Sequence, residues 1–124
     1  MTLKQFLTPQ EIEVWYILPA LRRAIALELQ HKGLRQNKIA ELLGITEAAV
    51  SQYLSGKRGT ELKFEMDVAQ KIEQSAEKIK NNGDLLEEIE SLCKLIRNKM
   101  ITRKIHKKYG VAKKTCEVCF KWKN

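Results

Sequence analysis

The chain has 124 residues, 44% of them apolar and 31% charged, enough for one small core or for one domain with an appendage. No apolar run approaches the ~20 residues that a membrane span needs, and no leader-like stretch opens the sequence, so a soluble cytoplasmic protein is expected. Its net charge of +8 is unevenly spread: residues 1–93 sum to −2 and residues 94–124 to +10. The basicity belongs to the end of the chain, where it suits a polyanion or, more plainly, keeps the protein in solution.

Thr8-Pro9-Gln10-Glu11 reads as a helix start, with Thr8 as cap, Pro9 at the first helical position and Glu11 completing a capping box. Ile12, Trp15, Tyr16 and Leu18 then form an apolar stripe, in which Trp15 and Tyr16 are expected as core or interface aromatics. Pro19 lacks an amide donor and should break or kink this helix. A second helix from Pro19 to about His31 would bury Leu21, Ala24, Ile25 and Leu29, leave Arg22 and Arg23 in water, and end at Gly33.

The most informative stretch is Leu34 to Gly59. Ile39, Leu42 and Leu43 give one apolar face to a short helix from Gln36 to Leu43. Gly44 can take the left-handed conformation of a tight reversal, Ile45 plugs the corner, and Thr46 caps a second helix from Glu47 to about Leu54. Ala49, Val50 and Leu54 point inward; Glu47, Ala48, Ser51, Gln52 and part of Tyr53 point outward. Such a face of small or short polar groups fits a DNA major groove, and Lys57 and Arg58 on the glycine-flanked turn beyond suit phosphates.

A long helix is expected from Leu62 to Lys80, with Leu62, Met66, Ala69, Ile72, Ala76 and Ile79 as a narrow seam. Asn81-Asn82-Gly83-Asp84 marks a break, with Gly83 ending one helix and Asp84 capping the next, which carries Leu85, Ile89, Leu92 and Ile96 to about Met100. The pair should form an antiparallel hairpin. Its apolar face needs a cover, either the preceding bundle or the same hairpin of a second chain. A homodimer is the favoured reading, with two recognition helices about 34 Å apart on a palindromic site.

At LPALRR (Leu18 to Arg23) and AELLGITEAAVSQYLSGKRG (Ala40 to Gly59) the chain resembles the helix-turn-helix domains of phage repressors and Cro, and among them the predicted archaeal transcription regulators with a cysteine-bearing tail. The resemblance covers about half the chain and implies an all-α architecture: a Cro/repressor-like helix-turn-helix bundle at residues 1–60, a helical hairpin at 61–105 for dimerisation, and a short irregular basic tail at 106–124. It also implies a sequence-specific transcription regulator on double-stranded DNA. Gln36 would touch backbone phosphate, and Glu47, Ala48, Ser51 and Gln52 would face bases. With Thr46, Tyr53, Lys57 and Arg58 these make up the candidate DNA-contacting set. Arg35 stands where the family usually has a Ser or Thr cap, and Glu47 where it often has Gln. A second reading is an adaptor resembling the multiprotein bridging factors, which binds basal transcription machinery through a similar domain.

Three cysteines without a secretory context point to reduced thiols or metal rather than to disulfides. Cys116 and Cys119 form a CxxC; with Cys93 and His106 they would complete a tetrahedral zinc site, and the three thiols alone would suit an iron-sulfur cluster. Cys93 equally fits a small buried apolar residue beside Leu92 and Ile96, and His106 a solvated basic one. No nucleophile-base pair, carboxylate pair or phosphate-cradling glycine loop suggests catalysis.

Overall fold

The computed structural model describes residues 7–108, the side chains of Arg103 and His106 excepted, and among these residues there are helices and turns but no strand. Helix α1 (Pro9–Ile12) starts as its sequence dictates: the Glu11 amide donates to Thr8 Oγ1 and the Thr8 amide to Glu11 Oε1, each at 3.1 Å. The break expected at Pro19 does not occur. Glu13–Ile17 instead forms a π-helical turn, closed by the Leu18 amide bonding to the Glu13 carbonyl, and passes directly into α2 (Leu18–His31). A widened turn leaves room for the proline ring and its missing donor without ending the helix. It also sets Tyr16 and Ile17 side by side in the core, while Val14 and Trp15 turn outward, 59% and 67% exposed. Trp15 is therefore not a core residue.

Helix α2 is the central wall. Leu21, Ile25, Ala26 and Leu29 are buried along it, and it packs on α3 (Gln36–Leu43), α4 (Glu47–Leu54) and α5 (Met66–Lys78). It ends at Gly33, whose φ of +91° allows the Leu34 amide to fold back to the Leu29 carbonyl at 3.2 Å.

The hairpin is formed by α5 and α6 (Asn82–Asn98), followed by α7 (Ile101–Lys108). Helix α5 begins at Met66 rather than at Leu62. Leu62 and Phe64 lie in a non-helical segment and pack half-buried on the core. The buried stripe of α5 is Val68, Ile72, Ser75 and Ala76, continued by Ile79, whereas Met66 is 77% exposed and Ala69 is exposed as well. The seam thus shares only its second half with the expected one. Helix α6 starts earlier than expected. Asn81, not Asp84, is its cap: Asn81 Oδ1 accepts from the Asp84 amide and Asp84 Oδ2 from the Lys80 amide, both at 2.9 Å. Gly83 consequently lies inside the first turn of α6 instead of ending α5.

One apolar cluster runs through the described residues. Val68, Ile72, Ala76, Ile79, Leu85, Leu92 and Ile96 of the hairpin region share it with Ile12, Ile25, Leu29 and Leu42. The buried hairpin seam is therefore covered by the chain's own bundle. An ion pair between Arg97 Nη2 and Glu13 Oε1 at 3.0 Å ties α6 to the π turn, and Lys99–Asp67 and Lys104–Glu65 hold the end of α6 and the start of α7 against the start of α5.

The register of α5 makes a clear prediction. Ile72→Ala should lower the unfolding free energy by about 2–5 kcal/mol, read from the urea midpoint at unchanged slope. Met66→Ala should stay within ~0.5 kcal/mol of the wild type; the reverse order would restore the seam read from periodicity.

Candidate nucleic-acid interface

The two motif helices form where local chemistry puts them. Helix α3 closes at Gly44, which sits at φ +67° and ψ 32° and lets the Ile45 amide reach the Ala40 carbonyl at 3.1 Å. Thr46 then caps α4, its Oγ1 accepting from the Ala49 amide at 3.0 Å. Two helices of eight residues each would be marginal alone; here Ile39, Ala40, Leu42, Leu43 and Val50 are buried beneath them.

On the outer side of α4, Glu47, Ala48, Ser51 and Gln52 are all exposed, and so is Thr46 at its start. No other part of the described molecule covers this face, so a ridge of short polar and small side chains stands free along one helix. Gln36 is exposed at the opening of α3, whose cap residue Arg35 makes no side-chain cap bond. That arrangement leaves the positive end of the helix to an external acceptor, as a phosphate contact requires.

Tyr53 departs from the outward set. It is only 3% exposed and belongs to the inner side of α4 with Val50, so it is a support and not a reader. What reaches the surface is the cation it carries: the Arg58 guanidinium lies over its ring, 5.6 Å from the centroid. Lys57 and Arg58 are both exposed on the turn that leaves α4. The Lys57 amide bonds the Gln52 carbonyl at 2.9 Å, and Gly56 takes φ +81° to make the turn. The far side of the turn is fixed by close approach. Gly59 has φ +76°, and a Cβ there would stand 2.5 Å from the Pro19 carbonyl oxygen and 3.0 Å from Arg23 Cβ. Only glycine lets the loop rest on the start of α2, which sets how far Lys57 and Arg58 project.

A second support was not legible as such. Asn82, at the start of α6, donates from Nδ2 to the Glu41 carbonyl at 2.8 Å and the Leu42 carbonyl at 2.9 Å. It thereby satisfies terminal acceptors of α3 from another helix and locks the hairpin to the motif. The sequence signal was the Asn81/Asp84 spacing, an Asn cap with an acid in the first turn, one position ahead of Asn82.

Of the ligands expected for zinc or an iron-sulfur cluster, Cys116 and Cys119 lie outside the described residues, as does the His106 side chain. Cys93 is a core residue, 4% exposed, and its thiol is pushed up to about 12, by burial first and then by its hydrogen bond to the Glu13 carboxylate. Among the described residues no group of His, Cys, Asp or Glu gathers to hold a metal ion.

A capped helix pair with a fixed turn, an exposed second helix and a cationic exit is the architecture of a helix-turn-helix. Residues 25–74 match the helix-turn-helix family of Cro/C1 type, a family of DNA-binding regulatory domains rather than of enzymes. The matched stretch runs from within α2 to within α5 and so contains both motif helices and the cationic turn. No curated protein and no solved structure matches the chain. Among the described residues, no helix is long and apolar enough to cross a membrane.

Two outcomes follow. Asn82→Ala should cost about 1 kcal/mol, because two end carbonyls of α3, one of them partly buried, lose their donor; a urea midpoint equal to wild type would show that the contact holds nothing. In a Cys116→Ser, Cys119→Ser background, Cys93 should resist alkylation at pH 8 until the protein unfolds, since it is both buried and protonated there. Labelling at the rate of a free thiol would contradict its place in the core.

Proposed function

We propose that this protein is a sequence-specific transcription regulator that inserts α4 into the major groove and reads bases with Glu47, Ala48, Ser51 and Gln52. The observation that carries this reading is the free outer face of α4, flanked by the exposed Lys57 and Arg58. Ser51 and Gln52 bring hydroxyl and amide groups able to bond base edges, Gln52 matching adenine in particular; Glu47 would accept from a cytosine amino group, and Ala48 would lie against a thymine methyl. Gln36 and Thr46, at the helix starts, and Lys57 and Arg58, at the exit, would bond phosphates and fix register without reading sequence.

A single eight-residue helix spans only a few base pairs, so adequate discrimination favours two copies on a palindromic operator. Because the hairpin seam is occupied within the chain, such a homodimer would use a surface other than the one periodicity suggested.

Selection of bound sequences from random duplexes tests both points, an enriched palindrome being the expected result. On that operator, Gln52→Ala and Ser51→Ala should reduce the preference over random DNA by about 1–3 kcal/mol, and Lys57→Ala should weaken both duplexes alike. Equal losses on the two DNAs for all three variants would remove the base-reading assignment.

A further inference from the structure

We propose that the groove between the π turn and the loop leaving α4 is a second contact with the same duplex, in which Arg22 and Trp15 hold the sugar-phosphate backbone beside the major groove. This deepens the reading of α4 above and rests on it. The groove measures about 510 Å³, and Trp15, Pro19, Arg22, Lys57, Arg58 and Glu61 are among its lining residues. It adjoins the cationic exit of α4, because Lys57 and Arg58 line it and belong to the turn by which the chain leaves that helix, and the inward Tyr53 forms part of its wall.

Three features assign the occupant. First, the groove sets Arg22, Lys57 and Arg58 against one carboxylate, Glu61, and a duplex presents a negative charge about every 1.7 Å along its axis. Second, the indole of Trp15 is 67% exposed and stands beside Val14 at 59%, although an aromatic of that size is ordinarily buried. It is held outward by the π turn, a distortion that recurs at functional sites. A flat apolar ring beside cations suits a deoxyribose flanked by phosphates: the sugar offers an apolar face and the phosphates meet the guanidinium. Third, a second copy of the chain is a poor occupant. An isologous contact through this groove would bring Arg22, Lys57 and Arg58 of one copy against the same cations of the other, and like charges so placed oppose association.

The test uses the full chain on operator and random duplexes across a salt series. Arg22→Ala should weaken binding to both duplexes roughly three- to tenfold and flatten the log-affinity against log-salt slope by about one, the loss of one phosphate contact. Trp15→Ala should weaken both to a similar extent with the slope unchanged. Neither should alter the ratio of operator to random affinity. In a Trp122→Phe background, the emission of Trp15 should shift on addition of duplex with the same midpoint as binding. Unchanged affinity, slope and emission, with Gln52→Ala still losing discrimination, would overturn the second contact and leave α4 as the reader. A chain that binds no duplex would remove both. If Trp15→Ala instead lowered self-association in sedimentation while the remaining dimer bound DNA normally, the groove would belong to a second copy and the proposal would fail.

Discussion

The burial of α2 on two sides is the constraint from which the rest of the molecule follows. Its stripe of Leu21, Ile25, Ala26 and Leu29 is covered by the motif helices on one flank and by α5 on another. Each large aliphatic side chain so enclosed contributes on the order of 1.5–3 kcal/mol, whereas helices as short as α3 and α4 cannot sustain themselves in water. The motif pair therefore exists because α2 supplies a wall for Ile39, Leu43 and Val50 to rest on. Helix α4 sinks little more than Val50 and Tyr53 into that wall. Its purchase is small, and that economy leaves the opposite face unoccupied.

The hairpin makes good what α4 does not contribute. Val68, Ile72, Ala76, Leu92 and Ile96 close the core from the other side, and Asn82 fastens the hairpin to the last carbonyls of α3. Glu13 joins the two ends of the described chain. Its carboxylate pairs with Arg97 and accepts from the Cys93 thiol, and it belongs to the same π turn that directs Trp15 outward. The position of the exposed indole is thus braced through the core by α6. The motif and the hairpin form one packed body, so the orientation of α4 relative to the cationic turn is set by the whole fold.

What could be read from the sequence was what local chemistry decides. The bounds of α3 and α4 follow from Gly44 and Thr46, residues whose backbone and hydroxyl preferences act within one turn, and the structure places both helices where those residues require. Tyr53 lies at the margin between the inner and outer sides of α4, where a period of 3.6 residues does not choose; packing against α2 turned it inward. The α5 seam admitted two registers that share Ile72, Ala76 and Ile79. The deciding factor was the extended segment that lets Leu62 and Phe64 pack without helix, a tertiary effect with no local marker. At Pro19 the local rule demanded an interruption, and the chain met it with a wider turn. The cover of the hairpin was the least legible feature, because one apolar face looks the same whether its partner lies in the same chain or in another.

Charge completes the argument about how such a molecule would approach DNA. Between Met66 and Cys93 the hairpin carries seven carboxylates against three lysines, and Glu73, Glu77, Glu87 and Glu90 are exposed on it. A duplex is repelled from that side. The cations after Cys93 would draw a polyanion in, and the exposed pairs Lys99–Asp67 and Lys104–Glu65 would hold them only weakly against phosphate. Attraction from the basic end is strong but undirected. Direction would come from cations fixed in relation to α4, the role proposed above for Arg22, Lys57 and Arg58, the last of which rests over the Tyr53 ring. On that proposal affinity and register would belong to different parts of the chain, the first to its overall basicity and the second to a loop that only glycine permits.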